Sequence, residues 1–145
     1  MKTLLLMGWL FFGINTCLYA NDDKTTEVRV TVTNLRSEEG QVILSLFDNA
    51  EDFPNQTKAI KTFKADIRDG KANFQFHLPA GTYAFAFTHD ENNNGKRDTN
   101  FIGMPKEGVG ASNNAKGSFG PPKFEDAKFT IADQPIQSTV ETNYL

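Results

Sequence analysis

The chain has 145 residues, with 15 Lys+Arg against 18 Asp+Glu and a formal net charge of −3. This balance, with no Lys/Arg cluster, excludes a protein that holds nucleic acid by neutralising phosphates, and the length allows one domain of ordinary size, not two. Thirteen Phe, together with Val, Ile and Leu, suffice for a core, so the chain beyond its leader is not expected to be disordered.

Residues 1–20 read as a secretory signal peptide. Lys2 supplies a short positive start, Leu4 to Ile14 is apolar except for Gly8 and Gly13, and Asn15 to Ala20 is more polar and ends in a small residue. The apolar run is too short to span a bilayer, so cleavage is expected after Ala20. A rival processing makes Cys17 a lipidated N-terminus, but Ile14-Asn15-Thr16 is a poor approach to a lipoprotein cleavage site. Cys17 is the sole cysteine, so the exported chain holds no disulfide and no thiolate metal site. Removing the leader takes away Lys2 and leaves 14 basic against 18 acidic side chains, a net charge of −4. No later stretch approaches the ~20 apolar residues of a membrane helix. The expected product is periplasmic or secreted.

From Asn21 to Leu145 the pattern is that of strands. Val28, Val30 and Val32 alternate with Arg29, Thr31 and Thr33, and Val42, Leu44 and Leu46 repeat the stripe after Glu38-Glu39-Gly40. A weaker strand is expected from about Lys58 to Ile67, after a single helical turn around Asn49 to Phe53 that Pro54 stops. Arg68-Asp69-Gly70 is a hairpin-type turn, beyond which Ala72, Phe74, Phe76 and Leu78 alternate with polar residues. Tyr83, Phe85 and Phe87 follow, interleaved with Ala84, Ala86 and Thr88; both faces are apolar or small, as in the middle of a sheet. Further weak strands are expected at Lys123 to Ile131 and Ile136 to Asn143. Seven short strands at this spacing predict an all-β fold, an antiparallel β-sandwich in the immunoglobulin or transthyretin-like style. In Leu78-Pro79-Ala80-Gly81-Thr82-Tyr83 the Tyr stands where a tyrosine corner would return its hydroxyl to the incoming turn, or is an ordinary half-buried strand residue.

The segment Asp90 to Pro122 breaks the pattern, with six of the eleven Gly and three of the six Pro. A loop this long inside a domain is usually functional or disordered. Phe101, Ile102, Met104, Val109 and Phe119 are expected to anchor it across one end of the sandwich. It opens with Asp90-Glu91-Asn92-Asn93-Asn94-Gly95-Lys96-Arg97-Asp98, which is D-x-N-x-N-G-x-x-D and matches the first part of an EF-hand calcium loop. Asp90, Asn92, Asn94 and Asp98 would offer side-chain oxygens, Lys96 its carbonyl, and Gly95 the backbone reversal. The closing Glu is absent, since position twelve is Phe101, so Glu107 or Glu125-Asp126 would have to complete the shell. The metal-free alternative is a turn in which Asn and Asp cap their own backbone.

From about Val28 to Ile131 the chain resembles DUF2141, a bacterial family of exported proteins of unknown function. The resemblance lies in Pro79-Ala80-Gly81-Thr82-Tyr83, in His89 to Lys96 with Asp98-Thr99-Asn100-Phe101, and in Gly103 to Gly108 with Gly120 to Ala127. It implies export and one β domain containing the long loop, and it implies nothing about chemistry.

The remaining chemical candidates are few. His89 precedes the Asp-rich loop and His77 lies on a polar strand face; Ser112 and Ser118 stand in no G-x-S-x-G elbow. Two His without Cys are too few for a zinc site unless carboxylates help. Lys106-Glu107, Lys123 and Glu125-Asp126 read as solvated loop charges. The expectation is therefore a non-catalytic binding or interaction module, with the loop as its recognition surface, ordered by calcium if any cofactor is used. Its partner would be an unidentified ligand or envelope protein. The rivals are a small periplasmic hydrolase using His89 and loop carboxylates, and a structural cell-envelope component.

Overall fold

The structure, a computed structural model, describes residues 24–145, so the leader, the cleavage site at Ala20 and Cys17 lie outside the described residues. Eight strands follow in chain order: β1 (Thr25–Thr33), β2 (Gln41–Phe47), β3 (Lys61–Ala65), β4 (Ala72–Pro79), β5 (Gly81–Asp90), β6 (Val109–Ala111), β7 (Phe129–Ile131) and β8 (Ile136–Glu141). One sheet has the order β4-β1-β8. The other has the order β3-β2-β5-β6, with β7 pairing the start of β5 on the edge that β6 occupies further along. Two such sheets make an all-β sandwich. Among the described residues no helix is long and apolar enough to cross a membrane.

The period-two stripes become the core. Val28, Val30 and Val32 from β1 meet Leu44 and Leu46 from β2, Phe74 and Phe76 from β4, and Phe85 and Phe87 from β5 in one buried cluster. The Phe63 and Phe76 rings stack at 4.3 Å and tie one sheet to the other. β5 is buried on both faces because its outer alanines, Ala84 and Ala86, are covered by a second cluster. There Phe53 meets Phe47 and Phe124 edge to face, at 5.3 and 5.9 Å. The tyrosine corner forms: the Tyr83 hydroxyl donates to the Pro79 carbonyl at 3.2 Å. A side chain at Gly81 would press on the Tyr83 ring at 3.2 Å, so glycine leaves room for the fold-back.

The structure corrects the sequence reading in four places. Five strand pairings are antiparallel, but β1 and β8 run parallel, Val28 opposite Ile136 through Thr33 opposite Glu141. Parallel neighbours need a long connection, and here the chain between them builds the whole second sheet. The stretch expected as a strand from Lys123 to Ile131 starts as a helical turn, α1 (Phe124–Ala127), and only Phe129–Ile131 is extended. Phe124 and Ala127 are three apart and both face the outer surface of β5, which is helical spacing. The long loop contains β6 and a 3₁₀ turn, Ser112–Asn114. Its expected apolar anchors face solvent instead: Phe101 is 99% exposed, Phe119 fully so, and Ile102 and Met104 are exposed too. Only Val109 is half-buried, paired with Thr88 at the edge of the sheet.

The Asp69-Gly70 turn has both central residues at positive φ, +53° and +69°, with Arg68 and Lys71 exchanging backbone hydrogen bonds. That is the hairpin turn expected, although β3 and β4 on its two sides enter different sheets.

Candidate functional site

What fastens the long loop is polar. Along β5 the outward positions run Ala84, Ala86, Thr88, Asp90, which sets Asp90 at the strand's end, on the outer face and fully buried. One carboxylate oxygen accepts from the Asn94 N–H at 3.0 Å; the other accepts from the Gly95 N–H at 2.9 Å and the Gln41 amide at 2.8 Å. Asn92 Oδ1 also accepts from the Asn94 N–H, and Asn94 Oδ1 from the Lys96 N–H. Gly95 has φ +81°, the reversal the motif requires. Gly40 is needed as well: it has φ +74°, and a Cβ there would lie 1.9 Å from the Asp90 carbonyl.

The four side chains of the motif share one hydrogen-bond network, Asn92, Asn94 and Asp98 directly and Asp90 through the Asn94 N–H. The amide nitrogens of Asn92 and Asn94 donate to the Asp98 carboxylate at 2.7 and 2.9 Å. Those hydrogen bonds hold Asp98 below the usual carboxylate range. Lys96 joins the network through its N–H. Among the described residues no three His, Cys, Asp or Glu side chains converge as a metal site.

Glu107 is the residue whose role the sequence hid. Expected as a solvated charge or a remote ligand, it is buried, 5% exposed, with its oxygens accepting from the Glu91 and Asp98 N–H groups, each at 3.1 Å. Burial pushes its carboxyl up, reinforced by the nearby charges of Asp98 and Asp90, while the two backbone donors oppose that shift. Its signal was available: it is the one carboxylate between Thr99 and Lys123. Glu125 and Asp126 are exposed, with Glu125 paired to Lys128. Between Asp98 and Lys106 the loop closes into a small hairpin. Lys106 N–H donates to the Asp98 carbonyl at 2.9 Å, Asn100 N–H to Met104 at 2.8 Å, and Gly103 N–H to Asn100 at 3.0 Å. Asn100 Oδ1 accepts from the N–H groups of Ile102 and Met104. Phe101 and Ile102 occupy the apex.

A second contact pins the loop sideways. Gln56 accepts from the Arg97 N–H at 3.2 Å and reaches the Gly95 carbonyl at 3.4 Å. Arg97 lies across Thr88, its Nε–H on the hydroxyl at 3.3 Å, and burial lowers its pKa from the ordinary arginine value.

His89, named from the sequence as a catalytic candidate, is fully buried. Nε2 lies 2.8 Å from the Glu39 carbonyl, which can only accept, so Nε2 carries a hydrogen, and Nδ1 shares a hydrogen bond with the Tyr144 hydroxyl at 2.8 Å. Tyr144 in turn accepts from the Arg36 N–H, and the Arg36 guanidinium lies 4.5 Å over its ring while gripping both oxygens of Glu91. That grip holds Glu91 below the usual carboxylate range. Glu91 is 3.9 Å from His89, yet both ring nitrogens are already bonded. An acid–base role needs a nitrogen that faces substrate, and His89 has none. Ser112 is buried too: its hydroxyl accepts from the Phe85 N–H and donates to the Ala127 carbonyl, which splices α1 to β5. His77 and Ser118 are exposed and separate from this cluster.

No curated protein matches the chain. Residues 30–139 match a family described as an uncharacterized protein conserved in bacteria, DUF2141, and that span takes in all eight strands whole or in part, the polar-braced loop and its apex. The chain belongs to the DUF2141 family.

Proposed function

We propose that residues 21–145 form an exported, non-catalytic binding module, periplasmic or secreted, whose recognition surface is the 90–122 loop. The observation that carries this reading is the apex: Phe101 and Ile102 stand 99% and 68% exposed on a hairpin that Asp90 and Glu107 brace from below. Exposed apolar groups on a preorganised loop are what recognition uses, because the ordering cost is met on folding. Calcium enters as an ordering ligand of the same loop, held by Asp90, Asn92, Asn94, Asp98 and the Lys96 carbonyl, with Glu107 as the added oxygen. A cation there would relieve the repulsion among Asp90, Asp98 and Glu107. The hydrolase reading loses support because His89 and Ser112 are sealed in hydrogen bonds.

Sedimentation with bacterial envelope material tests the reading. The double variant Phe101→Ser, Ile102→Ser removes no hydrogen bond and should keep the wild-type melting temperature while losing co-sedimentation. Equal retention of the two proteins would overturn the proposal.

A further inference from the structure

We infer that the Phe101–Ile102 apex inserts into the headgroup–acyl boundary of an anionic lipid bilayer, with Lys96 and Lys106 contacting lipid phosphates. The inference rests on the binding-module reading and names its partner class.

The central positions of a tight turn normally carry Gly, Asn, Asp or Pro. Here they carry Phe and Ile, with Met104 beside them 43% exposed. Backbone hydrogen bonds and the Asn100 side chain fix the turn, so insertion need not first order it. Charge selects the lipid. Lys96 and Lys106 flank the apex and are exposed. Asp98, the carboxylate between them in the chain, is half-buried and takes the Asn92 and Asn94 amides, and Glu107 is buried. The chain as a whole is acidic, at −3, so an anionic surface repels the molecule in general and attracts it only where the two exposed lysines stand beside the apex. Size decides against a protein partner: a stable protein interface needs about 800 Å² per side, more than three side chains offer, whereas two inserted apolar groups with basic neighbours suffice for weak, reversible membrane association.

The chain's one tryptophan is Trp9, so residues 24–145, which hold both sheets and both core clusters, provide a silent background for a reporter at the apex. Phe101→Trp is mixed with vesicles of phosphatidylglycerol and phosphatidylethanolamine, and separately with phosphatidylcholine vesicles. Co-sedimentation of the unaltered 24–145 chain with the same vesicles is the second measurement. Insertion predicts a blue shift and co-sedimentation with the anionic vesicles, both weakened by salt. Ile102→Ser should reduce partitioning about tenfold, and Lys106→Glu should reduce it several-fold. A water-like emission maximum with no co-sedimentation would overturn the inference, and equal binding to phosphatidylcholine would overturn its anionic selectivity. If vesicles fail but apex-dependent retention survives on envelope material stripped of lipid by detergent, the binding module stands with a protein or glycan partner. If that retention fails as well, the underlying reading falls with it.

Discussion

Replacing Asp90 by Ala tests whether polar bracing, rather than apolar anchoring, holds the loop. The carboxylate accepts three hydrogen bonds while fully buried, and a hydrogen bond to a charged group contributes about 1.5–3 kcal/mol. The three losses are unequal. Gln41 can swing its amide to water, and the Asn94 N–H keeps Asn92 Oδ1 as an acceptor at 3.1 Å. The Gly95 N–H keeps no acceptor. Since removing a buried charge also returns some desolvation energy, the net loss is about 2–4 kcal/mol. For a domain of this size that lowers the melting temperature by roughly 10 °C. Asp90→Asn should lose about half as much, because its one remaining oxygen can serve Gly95 and Gln41. Thermal unfolding in chelator, which removes any cation contribution, measures both, and amide exchange should show faster exchange at Gly95 first. Wild-type melting by the Ala variant, or Ala and Asn variants that melt together, would refute the reasoning.

Phe85→Ala, at a ring 1% exposed between the sheets, should destabilise by about 3–5 kcal/mol; an unshifted denaturation midpoint would show that this face is not core. The raised Glu107 carboxyl means that the folded state holds this proton more tightly than the unfolded state. Its contribution is therefore full below the ordinary value of 4.5 and is lost as pH rises through the folded value, and Glu107→Gln should remove that downward slope from stability plotted against pH. The lowered Glu91 acts oppositely: its contribution is present above the ordinary value and lost on acidification. Millimolar calcium should raise the melting temperature, by about 2.7 kcal/mol of stability at a hundredfold excess over Kd. Magnesium should do so less, and Asp90→Ala should abolish the effect; a melting curve identical to that in chelator would leave the motif an Asx-capped turn.

Strands β1 and β4 were legible because one residue in two must be apolar where one face is buried, β2 and β5 because large apolar residues still recur at every second position although both faces are buried, and Tyr83 because Gly81 sits two residues before it. Strand β6 was not. It is three residues long with Gly110 at its centre, where any side chain would strike the Phe87 ring at 2.3 Å, so the residue that makes the pairing possible also erases the alternation. The α1 turn is too short to display a helical period. At the loop, the turn chemistry of Asp90 to Asp98 followed from local spacing, whereas the burial of Glu107 depends on donors nine and sixteen residues away. The apolar residues of the loop misled for a related reason: an exposed Phe and a buried one are spelled alike, and only the placement of the bracing carboxylates tells them apart.

The parallel pairing of β1 with β8 has a consequence for the order of events in folding. β1 is the first described strand to be made and sits in the middle of its sheet, yet its register on one side is completed only by residues 136–141, more than a hundred positions later. Until β8 is present, β1 offers an unpaired edge with Val28, Val30 and Val32 along it, a template for the wrong strand. The native sheet needs these contacts of long sequence separation, which also form slowly, so a nascent fragment that lacks β8 cannot complete it however long it waits. Ribosome-stalled chains ending before Ile136 should stay protease-sensitive, and protection should arrive in one step once the last strand is free to dock.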